Sequence, residues 1–115
     1  MDKNFEELEL RAYENDAEAQ YELAVYYKNK QNNKSYVDWL KKSAKLNNSN
    51  AKVELAELYL QGVLIDKDED LAISLLEEEL EVNKNARLVL GKYYVNTRDE
   101  ENIKKGLDLF SDILL

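Results

Sequence analysis

The sequence contains no cysteine, no histidine and no proline, and only three of its 115 residues are glycine. Without cysteine there is no disulfide framework and no thiolate metal site, and nothing in the chain calls for an oxidising compartment. With histidine missing as well, the usual neutral-pH base and the strongest nucleophile are both gone, so ordinary catalytic triads are ruled out. No glycine-rich phosphate loop appears. Glu77, Glu78, Glu79 and Glu81 crowd together, but consecutive helical residues point in different directions and do not converge on a substrate. The chain is therefore expected to be no enzyme, with no catalytic residue, no cofactor and no metal ligand assigned. No run approaches the roughly 18 apolar residues of a membrane span. Residues 1 to 16 carry four Glu and two Asp in place of a signal-peptide core. A soluble, cytoplasmic chain with no membrane partner is the expectation.

What the sequence has in quantity is Leu, Glu, Lys, Ala and Asn, a composition that favours helix and gives strands few turns. Within it one pattern occurs three times: Ala19, Leu23, Ala24, Tyr27; Ala51, Leu55, Ala56, Tyr59; Ala86, Leu90, Gly91, Tyr94. The copies stand 32 and then 35 residues apart, a period that marks stacked helical hairpins. A solenoid of this kind is usually a surface for holding another protein. The chain is long enough for one domain, 1–115, divided into an N-terminal helix (1–15) and repeats at 17–48, 49–82 and 83–115.

Seven helices are predicted. The first carries Phe5, Leu8 and Ala12, with Asp2 or Asn4 as its cap. Ala17 to Asn29 follows and, after a polar break at Lys30 to Lys34, a partner helix bearing Tyr36, Trp39, Leu40 and Ala44. Asn47 to Asn50 makes the turn into the second copy, since Asn tolerates left-handed backbone and caps the next start. The second pair spans Asn50 to Gln61 and Asp68 to Leu80; the third, Ala86 to Asn96 and Ile103 to Leu114. Ala24, Ala56 and Gly91 fall where one helix must approach its neighbour closely. Tyr27, Tyr59, Tyr94 and Trp39 are expected to fill the interior rather than contact a ligand.

The net charge of −8 opposes direct contact with nucleic acid or anionic lipid. Residues 58–115 hold 13 acids and 7 bases, and Asp66 to Glu81 alone hold eight acids and one Lys. Such a density either steers a basic protein or simply keeps the chain soluble. Asp66, Asp68, Asp70 and Glu77 reproduce the acid spacing of a calcium-binding loop, but Leu71 replaces the glycine that its sharp turn needs. Asp68 is better read as a helix cap, with Glu69 and Asp70 at the positive end of the dipole.

Ala19, Gln20, Tyr21, Leu23, Ala24 and Tyr27, with Tyr59, Gly62, Ile65, Asp68 and Ala72 in the second copy, resemble the Sel-one-like repeat family, which is related to the tetratricopeptide repeat. The resemblance covers residues 17 to 115, although Leu64 stands where the family has a second loop glycine. It implies an all-α, short right-handed solenoid of about seven antiparallel helices that scaffolds protein complexes, with the first helix of each hairpin lining a concave face. On that geometry the face displays Tyr21, Val25, Val53, Glu57, Leu60, Leu88, Lys92 and Val95.

Three kinds of partner fit these features. One is a cytoplasmic complex for which the chain is an adaptor. Another is a basic toxin or nuclease that a small acidic immunity- or antitoxin-type inhibitor covers. For this the small size, the start at Met1, the charge and the candidate acids Asp66, Asp68, Asp70 and Glu78 speak. The third is a second copy, meeting Phe110, Ile113, Leu114 and Leu115 of the C-terminal helix in a homodimer.

Overall fold

The computed structural model describes residues 3–114, with the side chains of 4–113; Asp2 and Leu115, and the side chain of Leu114, lie outside the described residues. Among these residues there are seven α-helices and no strand: α1 (Lys3–Tyr13), α2 (Ala17–Asn29), α3 (Asn33–Lys45), α4 (Ser49–Gln61), α5 (Glu69–Glu77), α6 (Lys84–Val95) and α7 (Glu100–Leu114). Of the two expected caps of α1, Asn4 sits inside the helix and Asp2 lies outside the described residues. Each helix packs on the next, and α4 also touches α6, past the intervening α5. The result is elongated, 52 × 30 × 20 Å, with a radius of gyration of 15.6 Å. A compact chain of this length would have about 13 Å.

The first three connections are built alike. Asn15, Gln31 and Asn47 each take a left-handed φ, of 66, 60 and 68°. The following residue, Asp16, Asn32 or Asn48, caps the next helix by accepting the backbone N–H of Ala19, Ser35 or Ala51. Its own N–H reaches back to Arg11, Tyr27 or Ser43 and closes the preceding helix. These are Schellman ends fused to N-caps, and they leave little of the chain outside helix. The polar break after α2 is correspondingly shorter than expected, with Lys34 already in α3.

Between α4 and α5 the chain uses a longer loop. Gly62 takes a left-handed φ of 65°, and a Cβ there would lie 2.9 Å from Lys67 Cβ, so glycine is needed twice over. Asp68 then caps α5 by accepting the Leu71 N–H, the role expected for it. The expectation that this helix runs to Leu80 is corrected: it stops at Glu77, and residues 78–82 form turns. Four glutamates at the negative end of a helix dipole disfavour further turns. Lys52 then draws the chain aside, its ammonium 3.0 Å from Glu78 and 3.4 Å from Glu79.

The interior forms two clusters that meet along α4. Leu23, Tyr36, Leu40, Leu55 and Leu58 anchor the first, with Trp39 buried at the α1–α3 side and edge-on to Tyr13. Val53, Ala56, Ala72, Leu76, Ala86 and Leu90 make the second. Tyr27, Tyr59 and Tyr94 are half-buried and pack on these clusters, as expected of scaffold tyrosines. Buried polar groups tie the layers together: Gln20 donates to the Ala12 carbonyl at 3.0 Å and Ser43 to the Ala17 carbonyl at 2.7 Å.

Candidate functional site

The first helices of the second and third hairpins, α4 and α6, touch, and two cavities open along α4. The larger, about 570 Å³, lies between α4, α5 and α6 and is lined by Glu57, Leu60, Val89, Lys92 and Tyr93, with Glu69 and Asn96 at its edge. The smaller, about 320 Å³, is lined by Lys28, Tyr36, Glu54, Glu57, Leu58 and Leu64. Glu57 and Gln61 belong to both. The two therefore adjoin along α4, with apolar residues in their walls and Glu54 and Glu57 on α4, and together are termed the groove.

Glu54 and Glu57 stand three residues apart on α4 and so share a helix face. Burial, and then the charge of Glu54, raises the Glu57 carboxyl above its ordinary range, with Lys28 and Lys92 opposing. Glu54 Oε2 is buried without a hydrogen-bond partner. Its other oxygen is 3.7 Å from Lys28 Nζ, a long contact made by a lysine that is itself 55% exposed. The Tyr36 phenol is pushed up by burial and by Glu54, and the Tyr21 phenol by burial, Glu54, Glu18 and Glu57. Of the two, Tyr36 lines the same cavity as both carboxylates. At the far end Tyr93 donates a hydrogen bond to Glu69, joining α6 to α5. That bond raises the Tyr93 phenol to about 12 and, with Lys67, lowers the Glu69 carboxyl.

Of the residues anticipated on this face, Glu57, Leu60 and Lys92 line the groove. Val53 does not: it is 4% exposed and belongs to the second cluster, a correction of its expected placement. Position gives the reason. Tyr21, Val53 and Leu88 each precede the repeated leucine by two residues and point toward the next hairpin. Tyr21 lies near enough to the α4 acids to feel their charge, Val53 packs with Ala86 and Leu90 of α6, and Leu88, with no further hairpin beyond its own among the described residues, is 38% exposed. Val95 faces α7, its Cγ2 beside Gly106, and Val25 is half-buried on α2; neither lines a cavity. Asp66, Asp68 and Asp70 are exposed around the start of α5 and line neither cavity, while Glu78 is tied to Lys52. Sequence reasoning missed Glu54, Glu69, Val89 and Tyr93. Glu54 and Val89 share one signal, since each immediately precedes the repeated leucine.

Among the described residues no group of three or more acidic side chains is placed to hold a metal ion, and no helix is long and apolar enough to cross a membrane. Helical hairpins stacked in this way make the chain an all-α repeat solenoid. A Sel1 repeat protein from Oxalobacter formigenes has a similar structure, with a TM-score of 0.74 and 25% sequence identity over 92% of this chain and 98% of that one. The solenoid is thus of the Sel1-like repeat kind, the class of fold that generally serves as a protein-interaction scaffold. No family model and no curated protein matches the sequence.

Proposed function

We propose that the chain is a non-catalytic module that docks a partner protein in the groove across α2, α4 and α6. The observation that carries this reading is the groove itself: apolar walls from Leu58, Leu60, Val89 and Tyr93 around an acidic strip, the composition that receives an amphipathic helix or a protruding loop. Repeat units at 17–48, 49–82 and 83–115 supply one wall helix each. A net charge of −8 favours a basic protein, met in the cytoplasm. An adaptor and an inhibitor that covers a basic toxin share this chemistry and part on composition: the adaptor holds two proteins at once, the inhibitor one.

The test is capture from native lysate with the tagged wild-type chain and two sets of variants. Glu57→Lys and Val89→Arg alter the groove; Asp66→Lys with Asp70→Lys reverses the acids outside it. A stoichiometric partner lost with the first set and retained with the second is the expected result. Retention by the groove variants, with loss on reversal of Asp66 and Asp70, would move the interface to the start of α5. One co-purifying basic protein favours the inhibitor and two favour the adaptor.

A further inference from the structure

Lys28 already shows what the narrow end of the groove holds. Its ammonium sits 5.6 Å from the centre of the Tyr36 ring and 3.7 Å from Glu54, so an aromatic face and a carboxylate together seat a cation. The seat is incompletely filled. One point charge at 3.7 Å leaves Glu54 Oε2 buried and without a donor, and leaves Glu57 a further carboxylate of the same strip. A lysine more than half exposed is held weakly and gives way at little cost.

We propose that this end of the groove receives an arginine of the docked partner, its guanidinium set between Glu54 and Glu57 and displacing the Lys28 ammonium from the face of Tyr36. A planar guanidinium matches the place better than a second ammonium does. It offers five donors in a fixed fork, enough to satisfy the orphaned Oε2 and reach Glu57, and it stacks on tyrosine. The partner segment it belongs to is apolar on either side of the arginine, because Leu58 and Leu64 wall the same cavity. The inference rests on the docking reading above and narrows it to one side chain.

The probe is a capped pentapeptide, Ala-Leu-Arg-Leu-Ala, titrated into the isotopically labelled full-length chain at physiological salt and followed by NMR. Its counterpart carries citrulline, which has the shape of arginine without the charge. Expected are saturable shifts of the Tyr36, Glu54 and Glu57 resonances, with affinity about tenfold weaker for citrulline and for the variant Glu54→Gln with Glu57→Gln. Lys28→Ala removes the internal competitor and should tighten arginine binding, which keeps the test open if the double variant folds poorly. Equal affinity for the two peptides, shifts centred on the acids of residues 66–81, or no saturable shift at all would each overturn the inference. Equal affinity within the groove would still leave the docking reading standing; that reading falls only if groove variants keep the native partner.

Discussion

Gly106 of α7 rests on the backbone of α6 at Gly91. A Cβ at position 106 would stand 2.6 Å from the Gly91 carbonyl oxygen, 2.7 Å from Val95 Cγ2 and 3.0 Å from the Val95 nitrogen. Two of these are backbone atoms, which no rotamer change relieves. At position 91 a Cβ would meet the Phe110 ring at 2.5 Å, and a half-buried ring can turn. Alanine ordinarily improves a helix by roughly 0.5 to 1 kcal/mol over glycine, so the two sites set propensity against contact. Gly106→Ala is expected to lose about 1 to 3 kcal/mol. Gly91→Ala should lose less. Urea unfolding of both variants checks the order, and a Gly106→Ala chain as stable as the parent would contradict this packing.

Lys52 is 8% exposed and is shared between Glu78, which is 54% exposed, and Glu79, which is buried. Its hydrogen bond to Glu78 is the main reason its pKa is raised, although burial works against it. The two glutamates are not equivalent in what their loss leaves behind. Lys52→Met strands the buried Glu79 carboxylate and should cost about 3 kcal/mol or more at neutral pH. Glu78→Gln removes a contact that water already screens and should cost under about 1 kcal/mol. Thermal melts of the two variants at pH 7 separate these effects. Near-equal losses would show that Glu79 finds water when Lys52 is gone.

The fold was legible because its period was written in the residues that pack the interior. Ala, Leu, a small residue and Tyr recur at the same spacing, and each such copy became a first helix with its leucine in the interior. A finer period went unread: Asn15, Gln31 and Asn47 stand sixteen apart, and so do their caps Asp16, Asn32 and Asn48. Polar residues carry that signal, and Gln31 hides it because glutamine does not advertise a left-handed turn. The end of α5 was misread since Leu80 continued the apolar register, which outweighed the run of glutamates, while the partner that draws Glu78 and Glu79 aside is Lys52, 25 residues upstream of Glu77. The groove was half legible. Glu57, Leu60 and Lys92 follow from the repeat, but which flank of each helix faces the groove depends on how far the hairpins rotate against one another. That rotation turned Val53 inward and brought Glu54 out.

Gln31 adopts its left-handed φ of 60° without the side-chain help that asparagine gives at positions 15 and 47. Such backbone costs an ordinary residue roughly 1 to 2 kcal/mol, and glycine avoids most of it. Gln31→Gly should therefore stabilise the chain by about 1 kcal/mol. Asn47→Gly should gain less, since asparagine tolerates the conformation. A double-variant comparison against the parent by denaturant midpoint checks this, and a loss on Gln31→Gly would mean that the glutamine side chain holds a contact worth more than the strain.

Glu57 sets a pH dependence that can be traced to the groove. Its carboxyl is raised above the ordinary value of 4.5, first by burial and then by Glu54. A raised carboxyl means that the folded chain binds the proton more readily than the unfolded one in the interval between those two values. Stability through this group is therefore greatest below about 4.5, falls as pH rises through that interval, and reaches its lowest contribution once Glu57 is ionised in both states. Glu57→Gln removes the charge that the groove disfavours, so the variant should melt higher than the parent at pH 7 and close to it at pH 4. Asp16 acts in the opposite sense, because the Ala19 N–H and Arg11 lower its carboxyl, and its contribution fades as pH drops below about 3.8. Melting temperatures of parent and Glu57→Gln from pH 4 to 8 isolate the groove residue, since Asp16 is common to both. If the melting difference between them does not change with pH, Glu57 is ionised as freely as a surface glutamate, and the groove lacks the unmet negative charge that an incoming cation would answer.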